Sequence, residues 1–188
     1  MRVYVLRHGE SEANLSKKFT GWMDVPLTEK GREEARRAGA LLQGIAFDKI
    51  YASDLLRARQ TAEAALPGCA YEVTDLAREI SVGDLMGKPL SALTPAQMEQ
   101  TVTEGYAPYG GESKEDLYGR IGRFLGQLEG SGWETVAVFA HGGWLRAMLE
   151  TVLGVYLPRK SLRCGNCAMG IFEFQDDTWM LHSWINQA

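Results

Sequence analysis

Thr135-Val136-Ala137-Val138-Phe139-Ala140 is a nearly continuous apolar run, followed at once by His141-Gly142-Gly143. Its β-branched and aromatic content, and its lack of alternation, predict a strand buried on both faces, as in a parallel sheet covered by helices. The chain after the glycines reads as a helix through Leu153. Strand, glycine turn and helix in that order form the repeating unit of an α/β fold.

The same unit recurs on either side. Val3-Tyr4-Val5-Leu6 is a short buried strand that runs directly into Arg7-His8-Gly9. Thr28 is placed to cap a helix whose apolar stripe is Ala35, Ala38, Leu41, Leu42 and Ile45, with Gly44 as its stop. Lys49-Ile50-Tyr51-Ala52 is a further strand, and Ser53 is read as the cap of a helix through Leu66 that Pro67-Gly68 ends. Residues 71–110 carry weaker patterns. Thr94-Pro95-Ala96-Gln97 has the form of a capping box with proline at the first helical position, and Tyr106 to Gly111 reads as loop. Ser113 opens a helix with Leu117, Ile121, Phe124, Leu125 and Leu128 on one face, and Ala168–Phe174 with Thr178–Trp184 reads as a hairpin around Gln175-Asp176-Asp177. This order predicts an α/β fold with a mainly parallel sheet, formed by residues 1–188 as one domain.

The chain has 188 residues, 45% of them hydrophobic and 23% charged, with a net charge of −4 and no basic block. A chain of this size hides about 70% of its unfolded surface, so it needs neither disulfides nor a metal to fold. The balance excludes disorder, and it argues against sequence-independent nucleic-acid binding, which scales with the phosphates neutralised. Cys69, Cys164 and Cys167 are too few for a secreted disulfide framework. No run fits a signal peptide or a membrane span, so a soluble, cytoplasmic protein without membrane partners is expected.

Function is read from where the polar residues fall. Arg7-His8-Gly9, Ser53 to Arg59, and His141-Gly142-Gly143 each follow a predicted strand. In a parallel sheet such loops converge at the carboxyl edge, where open α/β folds bind ligands. Two of the chain's three histidines lie there, with Arg7, Arg57 and Arg59, which makes an anion site of arginine and histidine. Other chemistries lack their parts: no phosphate-binding Gly-rich loop, no dinucleotide fingerprint and no serine-hydrolase elbow is present. Cys164-Gly-Asn-Cys167 has no second pair, and Cys167 reads as a small residue entering a strand. His182 reads as a hairpin residue, and the histidines lack the companion carboxylate spacing of a metal site; no metal and no cofactor are expected.

Six ordered blocks then resemble the histidine phosphatase superfamily, the phosphoglycerate mutase-like proteins. They are Leu6-Arg-His-Gly-Glu-Ser-Glu-Ala-Asn14, Phe19-Thr-Gly-Trp-Met-Asp-Val-Pro-Leu-Thr-Glu-Lys-Gly31, Tyr51-Ala-Ser-Asp-Leu-Leu-Arg-Ala-Arg-Gln-Thr-Ala62, Leu76-Ala-Arg-Glu79, Gly110-Gly-Glu-Ser113 and Ala140-His-Gly-Gly-Trp-Leu-Arg146. Gly165-Asn-Cys-Ala168 resembles the family's entry to its last strands. The resemblance implies a three-layer α/β/α sandwich and catalysis through a phosphohistidine. By position it makes His8 the nucleophile and Glu79 the acid that protonates the leaving oxygen. Arg7, Arg57 and His141 match phosphoryl-binding positions, with Gly142 beside them, and Asn14 matches a further phosphate contact. Thr20 and Gly21 fall in the loop lining the substrate mouth. A histidine attacks phosphorus only when neutral, so its other ring nitrogen must hold the proton, against a backbone carbonyl of the Arg-His-Gly turn. The sequence departs from phosphatase relatives at Gly83-Asp84-Leu85-Met86-Gly87, where they often carry Trp-Glu-Gly, and this leaves Asp84 as an alternative acid.

The same site serves hydrolysis or phosphoryl shuttling. Mutase members carry a longer insertion between the acid and the second histidine, and the short interval from Glu79 to His141 favours water access and a phosphatase of a small-molecule phosphomonoester. A cofactor-dependent phosphoglycerate mutase is the alternative, supported by Phe19-Thr-Gly-Trp22; a phosphate-binding regulatory module without turnover is a second. Trp22, Tyr109 and Met86 fall in segments that could border the mouth, and the terminal hairpin offers an edge through which two subunits could pair as a homodimer.

Overall fold

A computed structural model describes residues 1–158 and 160–186. Six strands, β1 (Arg2–Arg7), β2 (Lys49–Ser53), β3 (Glu72–Thr74), β4 (Thr135–Ala140), β5 (Met169–Gln175) and β6 (Thr178–Ile185), form one sheet in the order β3-β2-β4-β1-β5-β6. Pairs β3–β2, β2–β4 and β4–β1 are parallel, while β1–β5 and β5–β6 are antiparallel, so β5 alone is reversed. The helices are α1 (Glu12–Leu15), α2 (Glu29–Ala40), α3 (Leu56–Ala65), α4 (Pro95–Glu104), α5 (Lys114–Glu129) and α6 (Gly142–Leu153).

Side-chain alternation along the central strands divides the core into two layers. Val3 and Val5 of β1, with Val136, Val138 and Ala140 of β4, pack against Leu117, Ile121, Phe124 and Leu128 of α5 and against Trp144 and Met148 of α6. Tyr4, Leu6, Ala137 and Phe139 face the other way, onto Ala35 and Ala38 of α2 and Ala62 and Ala65 of α3. The α/β/α sandwich with a mainly parallel sheet is therefore the observed fold. Among the described residues no helix is long and apolar enough to cross a membrane.

Several local expectations change. Helix α2 ends at Ala40, so Leu42 reaches the core from beyond the helix and Leu41 is half exposed. Ser53 does not cap α3: the cap residue is Leu55, without a side-chain bond, and Asp24 Oδ1 accepts from Leu56 N at 2.6 Å instead. The stretch 71–110 holds β3, α4 and four short 3₁₀ turns, the last of them at Ala107–Tyr109 inside the expected loop. A satellite core of Phe19, Val82, Leu85 and Leu93 anchors this stretch. In the terminal hairpin Asp176 and Asp177 both have positive φ, 50° and 56°, which suits the two-residue turn that matches strand twist. The cysteines are free, and buried Cys167 leads into β5 with its N–H donated to His8 O at 3.3 Å.

Candidate active site

Because β2, β4 and β1 are neighbours, the segments after them meet at one sheet edge. His8 follows β1 and is 4% exposed; Arg57 on α3 and His141 after β4 are fully buried. The turn at His8 is held tightly. Gly9 N donates to Thr61 Oγ1 at 3.1 Å, and a Cβ on Gly9 would lie 2.3 Å from Gly31 O. Glycine at that position lets the first turn of α2 press against the turn that carries His8.

His8 Nδ1 lies 2.7 Å from Gly9 O, a carbonyl of the same turn, so this nitrogen carries the ring proton. Its Nε2 accepts from Arg57 Nε at 3.2 Å. The Arg57 guanidinium also donates to Met23 O and Gly21 O, each at 2.8 Å, which sets its plane against the 20–24 loop. Burial lowers the Arg57 pKa to about 10, countered by Glu79 and Asp24, so it stays charged at neutral pH. Burial, and then the charges of Arg57 and Arg7, hold the His8 pKa well below its ordinary value. Burial, Arg57 and His8 do the same for His141. Both rings are therefore neutral, with centroids 5.2 Å apart.

Two side-chain nitrogens here have no protein partner: Arg7 Nε and His141 Nδ1 are buried and unsatisfied. Arg7 donates through Nη1 to Cys164 O, and His141 Nε2 lies 2.8 Å from Ser53 Oγ. Buried unpaired donors are costly, and a phosphoryl oxygen is the acceptor their setting suits.

Glu79 lies on the other wall. Its Oε1 accepts from Trp144 N at 3.1 Å and Ile80 N at 2.9 Å, and its Oε2 from Gly143 N at 3.0 Å. The carboxylate thus sits on the N-terminus of α6, where His141 makes no side-chain cap. The main chain under it is fixed from below: Trp22 Nε1 and Arg120 Nη2 both donate to Glu79 O, at 2.7 and 3.2 Å.

The cleft, about 210 Å³, is lined by Arg7, His8, Asn14, Thr20, Gly21, Arg57 and Glu79 among others. The structure thus gathers those expected residues at one mouth, with His141 buried behind His8. Gly142 departs from expectation: it backs Arg7, whose Nε would lie 3.2 Å from a Cβ there, and Gly143 is the glycine on the cleft. Arg59 does not line the cleft, and neither does Asp84, which is exposed on a 3₁₀ turn. Trp22, Tyr109 and Met86 are likewise off the lining; Trp22 stacks under Arg78 at 4.8 Å, and Arg78 pairs with Asp54. Sequence reasoning placed Ser53 in a converging loop but read its hydroxyl only as a helix cap, and it singled out neither Thr61 nor Arg120. Arg120 had a signal, an arginine at helical spacing within the stripe of Leu117, Ile121 and Phe124. A larger hollow of about 490 Å³ opens at the opposite sheet edge, but its Arg2 and Glu173 are paired with each other. No cluster of side chains among the described residues could hold a metal ion.

Comparison with known proteins identifies the family. Residues 3–187 match the family model of the histidine phosphatase superfamily (branch 1). The chain is 30% identical over 197 residues to the "Probable phosphoglycerate mutase GpmB" of Salmonella choleraesuis (strain SC-B67), covering 98% of this chain and 90% of that one. Among solved structures, a phosphoglycerate mutase from Thermus thermophilus superposes with a TM-score of 0.79 at 30% identity, covering both chains completely. A mycobacterial glucosyl-3-phosphoglycerate phosphatase superposes with a TM-score of 0.84 at 29% identity, over 97% of this chain and 98% of that one. The chain belongs to the histidine phosphatase superfamily.

Proposed function

We propose that this member of the superfamily hydrolyses small phosphomonoesters through a phosphohistidine on His8. The observation that carries the reading is the pair of buried, unpartnered donors, Arg7 Nε and His141 Nδ1, beside a histidine whose Nδ1 is tied to Gly9 O. With its proton on Nδ1, His8 offers the Nε2 lone pair to phosphorus once Arg57 Nε transfers its hydrogen bond from that nitrogen to an incoming phosphoryl oxygen. The N–P bond forms as the ester O–P bond breaks, and Arg7, Arg57 and His141 take the charge spread over the equatorial oxygens. The departing alkoxide takes its proton from Glu79. Three of the carboxyl's roughly four lone-pair sites are used by backbone donors, two on Oε1 and one on Oε2, so Oε2 retains a site for that proton. Glu79 then accepts a proton from water as the oxygen attacks phosphorus, the N–P bond breaks, and inorganic phosphate leaves.

Relatives named as mutases support a second reading, phosphoryl transfer on phosphoglycerate. A substrate with a carboxylate and a second phosphoryl site calls for cations beyond Arg7 and Arg57. Among the described residues lining the cleft, the further one is exposed Lys18. Hydrolysis is therefore the reading the site supports better.

The test uses the full chain with p-nitrophenyl phosphate, with and without a chelator, beside 3-phosphoglycerate with a trace of bisphosphate primer. Phosphate release that the chelator leaves intact is expected, with His8→Ala reducing it by about a thousandfold or more. Isomerisation faster than release would favour the mutase. Neither signal would leave a phosphate-binding module.

A further inference from the structure

We infer that the cleft selects phosphomonoesters of compact, apolar alcohols that carry no second anionic group. This rests on the phosphatase reading above and specifies its substrate class.

At about 210 Å³, the cleft is smaller than the roughly 300–1,000 Å³ of sites for drug-sized ligands. Part of that space belongs to the phosphoryl group, which leaves room for an alcohol about the size of one ring. Arg7, His8, Asn14, Arg57 and Glu79 supply the polar end. In the rest of the lining Phe19, Ile80, Val82, Leu90, Met98 and Tyr106 outnumber the polar residues Lys18 and Thr20.

That wall is a fixed part of the fold. Phe19 is 4% exposed and meets the Tyr106 ring edge-on at 6.1 Å, inside the satellite core with Val82, Leu85 and Leu93. Phe19 N donates to Lys88 O and Gly87 N to Phe19 O, both at 2.9 Å, and Leu90 N donates to Lys17 O at 2.9 Å. These bonds bind the 17–21 segment to the 86–90 segment. Gly21, at φ +49°, brings its backbone so close that a Cβ would sit 2.7 Å from Val82 Cγ2.

The polar side-chain groups on this wall are the Thr20 hydroxyl, which donates to Lys18 O at 3.5 Å, the Tyr106 hydroxyl and the exposed Lys18 ammonium, beside the apolar side chains of Phe19, Ile80, Val82, Leu90 and Met98. Lys18 is exposed, so its attraction for a second anion is screened by solvent. A carboxylate, ammonium or multiple hydroxyls entering here would lose water without equivalent hydrogen bonds, whereas an alkyl or aryl group gains by burial.

The experiment compares kcat/KM of the full chain for benzyl phosphate, glycerol 3-phosphate and phosphoserine, all primary alkyl esters, with p-nitrophenyl phosphate as the generic substrate. The expected result is a preference of about tenfold or more for benzyl phosphate, carried mainly by KM. Leu90→Lys, at a rim position already 37% exposed, should keep the fold and narrow that preference several-fold. Equal or reversed preference, with p-nitrophenyl phosphate still hydrolysed, would overturn the substrate class and leave the phosphatase reading standing. An unchanged preference in Leu90→Lys would overturn the assignment to this wall. Failure to hydrolyse p-nitrophenyl phosphate would overturn both readings together.

Discussion

Ser53 Oγ stands 2.8 Å from His141 Nε2 and accepts from Leu55 N at 3.4 Å. A hydroxyl that accepts a backbone proton directs its own elsewhere, and Nε2 is the acceptor within reach. The imidazole proton then belongs on Nδ1, the buried atom that needs an acceptor. Because His141 is neutral, its tautomer decides whether it can donate to a phosphoryl oxygen. Ser53→Ala should release the ring to either tautomer and lower kcat by about tenfold to a hundredfold, with KM changed less. The ¹⁵N shifts of the His141 ring check this directly: a variant still protonated only on Nδ1 would remove Ser53 from the role. His8, Arg7, Arg57 and His141 are legible because each sits in or beside a turn after an apolar run. A serine between strand and helix has the form of a helix cap, and nothing local tells whether its hydroxyl serves its own helix or the next strand's histidine.

Helix α6 begins on a residue whose side chain makes no cap, and a carboxylate from another segment takes that place. Glu79 thus orders the helix while the helix orders Glu79, with favourable charge at the N-terminal end. The arrangement depends on Gly143, where a Cβ would come within 2.4 Å of Glu79 Oε1. The obstructed atom is the end of a side chain, so Gly143→Ala should fold and displace the carboxylate. Expected is a loss of about a hundredfold on benzyl phosphate, whose alkoxide needs a proton. The loss on p-nitrophenyl phosphate should be much smaller, because nitrophenolate leaves without help. Equal losses would contradict the assignment of Glu79 as acid. At this scale the periodic elements were legible: α5 and α6 show their apolar faces and α4 its capping box. The segment that carries Glu79 was not. Its 3₁₀ turns have no period to detect, and its shape is imposed from a distance by Arg120, which donates to Leu76 O, Arg78 O and Glu79 O at 2.9, 2.7 and 3.2 Å.

The whole molecule places two neutral histidines and two arginines at one sheet edge, and that concentration has a consequence for stability. The parallel order of the sheet, legible from the strand–helix alternation, is what puts His8 and His141 next to each other under the same positive field. In the folded chain both pKa values lie well below 6.5, while in the unfolded chain each returns to about 6.5. Above that value neither state binds these protons and stability is complete. As pH falls below it, the unfolded chain takes up protons that the folded chain refuses, so stability drops by up to about 1.4 kcal/mol per pH unit for each histidine. Carboxylates with lowered pKa, such as Glu10 and Asp48, start from ordinary values of 4.5 and 3.8 and act further down. Denaturant unfolding should therefore lose about 2–3 kcal/mol between about pH 7.5 and about pH 5.5. His8→Asn should roughly halve that slope. The buffers must be free of phosphate, because an anion bound to Arg7, Arg57 and His141 would stabilise the folded chain by mass action and mask the titration. A pH-independent unfolding free energy across this window would mean that the rings take up protons in the folded chain as readily as in the unfolded one, and it would remove the depressed pKa assigned to both.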